Sequence, residues 1–203
     1  MALVATTVGC TSLAASAAFA GAPNSPARAV AESRQQATPV ISRSTVAYQT
    51  PAVTLVRADG KSVSLAGELD DGRPVLLNFI FTTCSSICPL VSQTLAQFQD
   101  RLGTEVSTVH LMSISIDPEQ DPPARLADYA RKFHAGPEWQ YYTGTLAASL
   151  AAQRAFDVYR GEKMNHTPVT LMRAAPGKPW LRIEGFVTPD ELVDAYRSLL
   201  ASR

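Results

Sequence analysis

Two cysteines with three residues between them offer the most distinctive chemistry in the sequence. Cys84 and Cys88 both lie within the segment 83–89. If they share a helix, their β-carbons are about 5–6 Å apart, so the thiols can bind one metal ion together or oxidise to a disulfide. Backbone N–H groups at a helix start also lower the pKa of a thiol and favour the thiolate. The alternative is an inert structural disulfide or two small buried side chains.

The three histidines differ as candidates for a further metal ligand. His110 lies inside an apolar strand, where a hydrogen-bonded core histidine is usual. His134 follows a predicted helix, where a solvated helix cap explains it. His166 lies in the polar loop 164–168, directly before a predicted core strand that faces the cysteine turn. We therefore expect His166 to be the histidine that joins the cysteines.

A site of two sulfurs and one imidazole nitrogen favours copper. These donors suit Cu(I) and tolerate Cu(II), whereas a structural zinc site usually needs a fourth ligand. Met164 precedes His166 by two residues and could supply a weak further sulfur, but methionine more often serves packing. Copper is therefore the metal that this donor set favours.

The cysteines are predicted to follow a buried strand and to begin a helix. The segment 75–81 is short and almost wholly apolar, which is typical of a central strand covered on both faces. Beyond the cysteines, apolar residues recur at the spacing of one helical face. They are Ile87, Val91, Leu95, Phe98 and Leu102. Gly103 is predicted to end this helix.

The remaining elements predict an α/β fold of the thioredoxin-like class. Asp59-Gly60 between two apolar runs indicates an N-terminal β-hairpin. A strand over 106–116 is predicted to precede a helix whose N-cap is Asp121. The order hairpin, β, α, β, α, α, β, β, α predicts a central mixed sheet flanked by helices. In that fold the reactive cysteines lie at the turn from the first central strand into the first helix, where this pair lies.

The first 45 residues predict a leader and a tether. Residues 1–20 are small or apolar and end in Ala-Phe-Ala, like a secretory signal peptide, although the usual positive start is missing. Cys10 would be removed with this leader. Residues 21–45 lack periodicity and predict a disordered tether, so the folded domain is expected to span 46–203. We therefore expect an exported, periplasmic protein, with membrane contact only through an N-terminal anchor.

The composition excludes several classes of protein. The 18 Lys and Arg residues balance 18 Asp and Glu residues, so nothing favours contact with nucleic-acid phosphates. A hydrophobic fraction of 46% with 18% charged residues indicates a globular chain. No apolar run reaches the roughly 18 residues that a membrane-spanning helix needs, which excludes a polytopic membrane protein. The 3 cysteines are too few for a disulfide framework.

Four parts of the sequence resemble the Sco/SenC family, copper-binding thioredoxin-like proteins that help assemble the dinuclear copper centre of cytochrome c oxidase. The similar parts are 78–89, 113–118 with Asp121 and Pro122, 143–145, and His166. The resemblance implies that copper binds to Cys84, Cys88 and His166. It also implies that Asp117 lies near the site as an outer carboxylate. The implied partner is the copper-bearing subunit of the oxidase, or another periplasmic copper or thiol protein.

The sequence departs from the family pattern at two places, and the second departure favours redox chemistry. Family members commonly have proline after the first cysteine, where this chain has Ser85, and serine plus an aliphatic residue after the histidine, where it has Thr167-Pro168. Pro168 falls where thioredoxin-like oxidoreductases carry a cis-proline. The alternative function is therefore a periplasmic thiol-disulfide oxidoreductase, in which Cys84 attacks and Cys88 resolves. A peroxidase-like thiol enzyme is disfavoured because its Pro-x-x-x-Thr-x-x-Cys motif is absent.

Overall fold

The computed structural model describes Ala2 and residues 41–202 of the chain. In that part, strands form one sheet in the order β1-β8-β7-β4-β5-β6-β2-β3. The strands are β1 (Ser42–Val46), β2 (Thr54–Arg57), β3 (Ser62–Ser64), β4 (Val75–Ile80), β5 (His110–Ser115), β6 (Trp139–Gly144), β7 (Val169–Arg173) and β8 (Trp180–Glu184). The helices are α1 (Leu65–Leu69), α2 (Ile87–Leu102), α3 (Pro123–Lys132), α4 (Leu146–Ala155) and α5 (Pro189–Ala201).

Strands β4 and β5 form the buried centre of the sheet. Every residue of both strands is buried. The almost continuous apolar run of β4 predicts this for a strand covered on both faces, and β5 is buried as well although it carries His110, Ser113 and Ser115. The two strands run parallel, with Leu77 opposite Met112, and β6 continues parallel beside β5. On the other side of β4 come β7, β8 and β1, each antiparallel to its neighbour. The predicted thioredoxin-like mixed sheet flanked by helices is confirmed.

One end of the sheet gathers the loops that carry the candidate chemistry. Ile80, Ser115 and Gly144 lie at this end, because β4, β5 and β6 run parallel and finish there. Antiparallel β7 begins at the same end with Val169, and β8 finishes there with Glu184. We call the end defined by these five residues the site end. The loop over 81–86, which we call the cysteine loop, leaves β4 at the site end. The loop over 156–168, which we call the histidine loop, enters β7 there.

Some sequence-predicted elements are confirmed and others need correction. β2 and β3 pair antiparallel around Asp59-Gly60, and α2 ends before Gly103, whose φ of 54° favours glycine. The predicted strand over 106–116 is wrong at its start, because Gly103–Thr108 forms a 3-10 helix before β5. The predicted order also lacks β6, although its aromatic residues favour a strand.

The folded part of the chain starts earlier than predicted. β1 pairs antiparallel with β8, so the predicted tether over 21–45 is wrong for Ser42–Thr45. Most side chains of β1 are exposed, and its backbone pairing with β8 holds it in place without an apolar pattern that the sequence could show. Apart from Ala2, the predicted signal peptide 1–20 lies outside the described residues, as does the tether up to residue 40. No helix in the described part has the length and apolar character needed to cross a membrane.

Candidate metal centre

Cys84 lies in the loop between β4 and α2, and Cys88 lies in the first turn of α2. The predicted placement of both cysteines on one helix is therefore wrong, since α2 begins after Cys84. The N-cap residue Ser86 makes no side-chain capping bond. Instead, the backbone N–H of Cys88 donates to the Sγ atom of Cys84 at 3.4 Å. Cys84 thus caps the helix start, and its sulfur lies among N–H groups that lack intrahelical partners.

The two free thiols differ in acidity. Partial burial raises the pKa of Cys84, but hydrogen bonds to its sulfur, chiefly from the backbone N–H groups of Cys88 and Ser86, together outweigh burial, so the pKa is below its ordinary value. Burial raises the pKa of Cys88 to about 12. The charges of Cys84 and Asp121 also raise the Cys88 pKa. Cys84 is therefore the more reactive thiolate near neutral pH, while Cys88 is protonated.

We expect iodoacetamide to label Cys84 at least about tenfold faster than Cys88 in the reduced protein at neutral pH. The labelling rate of Cys84 should rise with pH around a midpoint below that of free cysteine, since N–H groups stabilise its thiolate. Cys88 should stay almost unlabelled, because it is both buried and protonated. Peptide mass spectrometry after timed labelling measures both rates. Equal rates at the two cysteines would contradict this difference in acidity.

A buried carboxylate beside the cysteine loop is a site residue that the sequence patterns miss. The prediction that Asp121 is the N-cap of α3 is wrong, because Pro122 holds that position. Asp121 is fully buried and accepts hydrogen bonds from the Thr82 N–H at 3.1 Å and the Ser115 hydroxyl at 2.6 Å. The Thr82 hydroxyl donates to it as well. Asp121 therefore ties the cysteine loop to the end of β5, and no spacing in the sequence distinguishes it from a capping aspartate.

His166 is buried in the loop that enters β7 at the site end. Burial lowers the pKa of its imidazole, and the Arg160 charge lowers it too, against a smaller opposing effect of the Phe79 carbonyl. The Nε2 atom of the neutral ring lies 3.0 Å from that carbonyl oxygen. Since a carbonyl only accepts hydrogen bonds, Nε2 carries the proton and Nδ1 holds the lone pair. Nδ1 is therefore the nitrogen that can bind a metal.

Asp117 pairs with the loop that carries His166. Its carboxylate accepts a hydrogen bond from the Lys163 Nζ atom at 2.6 Å, and this bond raises the pKa of Lys163. Lys163 begins the short 3-10 helix that leads into His166. Its ammonium also lies 5.7 Å from the centre of the Phe81 ring. Asp117 therefore connects the loop after β5 to the histidine loop.

The other two histidines fit the roles predicted from their surroundings. His110 begins β5, at the opposite end of the sheet from the site end. Its Nδ1 atom lies 3.1 Å from the Glu68 carbonyl oxygen, and its Nε2 atom lies 3.0 Å from the Tyr142 hydroxyl. The prediction of a hydrogen-bonded core histidine is therefore confirmed. His134 is exposed just after α3, with a φ of 52°.

The structure brings the two cysteines into contact but does not close a three-ligand site. Among the described residues, no three Cys, His, Asp or Glu side chains form a group that could hold a metal ion. β4 and β7 are neighbours, with Asn78 opposite Thr170, so the cysteine and histidine loops join adjacent strands at the site end. A thiolate, a second sulfur and a neutral imidazole nonetheless form a donor set that suits copper.

The Thr167–Pro168 peptide bond differs from the cis form expected by analogy with thioredoxin-like oxidoreductases. The described residues contain no cis peptide bond. Pro168 follows the buried His166, and its carbonyl oxygen accepts a hydrogen bond from the Gly185 N–H at 3.0 Å. Pro168 therefore adds no support to the redox interpretation.

Comparison with known proteins identifies the family. The family model described as SCO1/SenC matches residues 44–201. This chain belongs to the SCO1/SenC family. The SCO1 protein homolog of Bacillus subtilis is 36% identical to it over 98 residues, which make up 48% of this chain and 50% of that protein. The chain thus spans about half the length of this curated SCO1 relative.

Solved structures of Sco proteins have a similar fold. ScoI of Arabidopsis thaliana, solved with copper bound, has a TM-score of 0.64 and 25% identity, covering 76% of this chain and 99% of that one. BsSco is described as a member of the Sco family of cytochrome c oxidase assembly proteins with a disulfide switch. It has a TM-score of 0.63 and 24% identity, covering 79% of this chain and 98% of that one. The likeness to BsSco shows the fold alone.

Proposed function

We propose that this chain is an exported copper metallochaperone that helps assemble the dinuclear copper centre of cytochrome c oxidase. The observation that carries the proposal is the contact between the Cys84 Sγ atom and the Cys88 N–H at the start of α2. It places a thiolate and a second sulfur in one turn. Family membership and a copper-bound relative support copper as the metal. In this role copper is the cargo that the protein passes on.

Cys84, Cys88 and His166 are the proposed copper ligands. Cys84 supplies a thiolate, and Cys88 supplies a second one after metal binding displaces its proton. His166 supplies Nδ1. Its hydrogen bond to the Phe79 carbonyl supports this role, because metal-binding imidazoles usually donate their other N–H to a carbonyl or carboxylate. The described residues contain no ready-made group of three such side chains, so the proposal includes an approach of the histidine loop to the cysteine loop on copper loading.

The accessibility of Cys84 suits a protein that releases its cargo. Cys84 is half-buried, whereas Cys88 and His166 are buried. A thiolate of the receiving protein can therefore bind copper beside Cys84 before Cys88 and His166 dissociate from it, so copper is never released as a free ion. The proposed recipient is the copper-bearing subunit of the oxidase, or another periplasmic copper or thiol protein.

Thiol-disulfide exchange is the second candidate function, and the unequal acidity of the cysteines favours it. The Cys84 thiolate would attack a disulfide of a partner, forming a mixed disulfide and releasing one partner thiolate. Cys88 would then lose its proton and attack the sulfur of Cys84. This second step releases the other partner thiol and leaves a Cys84–Cys88 disulfide, so the partner gains the two electrons that the cysteine pair loses.

The variant His166→Ala separates the two functions. We expect its Cu(II) affinity to fall by roughly a hundredfold, or about 2.8 kcal/mol, because copper loses its imidazole ligand. The rate of disulfide exchange with a model disulfide should stay near that of the wild type, since thiol chemistry needs no imidazole. Competition with a chelator of known affinity measures the first effect, and release of a coloured thiol measures the second. Unchanged copper affinity would show that His166 is not a ligand.

Export to the periplasm is part of the same proposal. It is supported by the apolar leader 1–20, which ends in Ala-Phe-Ala, and by the low-periodicity segment that follows it. The leader would direct the domain to the side of the membrane where the copper centre is assembled, and an anchor at the N-terminus would hold it there. Fractionation of cells and mass measurement of the mature N-terminus test both the compartment and the cleavage.

A further inference from the structure

The four large apolar side chains that are exposed in residues 41–202 all lie at the site end of the sheet. Met164 is 74% exposed and Leu90 is 58% exposed, while Leu146 and Phe186 are exposed to smaller extents. Leu90 lies in the first turn of α2, after β4, and Leu146 begins α4, after β6. Met164 lies in the loop before β7, and Phe186 follows β8. We call these four residues the apolar rim.

The apolar rim adjoins both loops that carry the candidate chemistry. Leu90 is two residues from Cys88 in α2, and Met164 is two residues from His166. Leu146 and His166 line one cleft of about 130 Å³. Single exposed apolar side chains scattered over a surface need no explanation, whereas their concentration around reactive groups marks an interaction site.

We propose that the apolar rim is the surface on which the copper-exchanging partner protein docks. This inference rests on the proposed function, because ligand exchange requires donor atoms of the partner within about 2.3 Å of the metal. Such an approach covers the site end, and therefore covers the rim. The occupant that fits is a folded protein whose own cysteine and histidine ligands are surrounded by apolar side chains. Burying the rim against that surface contributes to association and excludes water from the exchange.

The charges near the rim favour a protein partner over an anionic lipid surface. The loops after β5 and before β7 carry the carboxylates Asp117, Glu119, Asp157 and Glu162 outside the core, against the cations Arg160 and Lys163. Both cations are already paired, Lys163 with Asp117 and Arg160 with Asp157. Surfaces that bind anionic lipid usually carry an excess of Lys and Arg. A second copy of this chain is also less suitable, because it would cover the reactive thiol that has to reach the recipient.

A pair of matched double variants of the full chain tests the proposal. Leu90→Asn with Met164→Asn makes the two most exposed rim residues polar. Leu90→Met with Met164→Leu keeps the rim apolar and also removes the Met164 sulfur, so it controls for metal binding by that atom. The probe is the soluble copper-binding domain of the oxidase subunit from the same source. Association is measured by titration calorimetry with metal-free and copper-loaded chain, and copper transfer is measured by the absorbance of the filled dinuclear centre.

We expect the polar variant to bind the probe at least about tenfold more weakly and to transfer copper correspondingly more slowly. The copper affinity and thermal stability of the polar variant should match those of the wild type. The apolar control should match the wild type in association, transfer, copper affinity and stability. Equal association of the two double variants, or no association of the wild type, overturns the docking surface. If the polar variant transfers copper normally but no longer binds phosphatidylglycerol vesicles that the wild type binds, the rim is a lipid-binding surface. If it transfers copper normally but no longer forms a dimer that the wild type forms, the rim is a self-association surface. If the wild type binds the probe but not copper, the proposed function fails while the association data still decide the rim.

Discussion

Replacement of Cys88 by serine is expected to weaken Cu(I) binding by about a thousandfold, or roughly 4 kcal/mol, because a soft thiolate gives way to a hard hydroxyl. The effect exceeds that of losing the imidazole, since Cu(I) prefers sulfur donors. The Cys84 thiolate would also lose its partner in the chelate. Competition with a Cu(I) chelator of known affinity measures the change.

The pH dependence of Cu(I) binding provides a second readout of the same ligand. Burial raises the pKa of Cys88 to about 12, so its thiol is protonated throughout the neutral range. Metal binding must release that proton, and the wild-type affinity should therefore rise as pH increases. In Cys88→Ser this contribution disappears. Cys10→Ser is the matched control, because Cys10 belongs to the predicted leader, and it should bind Cu(I) as the wild type does. Cu(I) affinity of Cys88→Ser within about threefold of the wild type would rule out Cys88 as a ligand.

Asp121→Asn should lower the free energy of unfolding by about 2–4 kcal/mol, because the carboxylate is fully buried and accepts three hydrogen bonds. An amide offers one oxygen and one NH2 group. One of the donors on Thr82 and Ser115 would then face another donor, with no water to compensate it. Urea unfolding followed by tryptophan fluorescence measures the change.

The exposed residue Asp128 offers a control for Asp121. Asp128 lies in α3 and pairs with Arg131 at the surface, so Asp128→Asn should change the free energy of unfolding by less than about 0.5 kcal/mol. The same Asp121 substitution should also loosen the cysteine loop, because Thr82 precedes Cys84 by two residues. Faster amide hydrogen exchange from Thr82 through Cys84 in Asp121→Asn would report that loosening. Alkylation of Cys88 would not, because losing the Asp121 charge also removes one of the influences that raise the Cys88 pKa. Equal stabilities of the two variants would show that Asp121 does not hold the loop.

The centre of the fold follows from patterns that the sequence displays. β4 is almost wholly apolar because both of its faces are covered, and the apolar stripe of α2 has the period of a helix that packs on one side. The edge strand β1 shows no such pattern, because backbone hydrogen bonds rather than apolar contacts attach it to β8. β6 is missed even though Trp139 and Tyr141 pack in the core, since Gly136 and Pro137 just before it indicate a loop.

Residue types, spacing and family resemblance identify the candidate ligands. They do not predict which thiol is deprotonated or which imidazole nitrogen carries the proton. Cys84 and Cys88 have the same side chain, and only their surroundings separate the two pKa values. The tautomer of His166 depends on the Phe79 carbonyl, which lies in β4, far from His166 along the chain. Asp121 looks like a helix cap in the sequence and acts as a buried acceptor in the structure.

By itself, the sequence determined that this protein carries a pair of soft sulfurs at a strand-to-helix turn and one well-placed histidine, because local spacing and apolar periodicity depend only on neighbours along the chain. Tertiary structure alone decided which thiol ionises, which imidazole nitrogen is free, what the buried carboxylate holds, and that the exposed apolar side chains share one end of the sheet. These properties depend on burial and on hydrogen bonds between distant segments, and the order of residues does not state either.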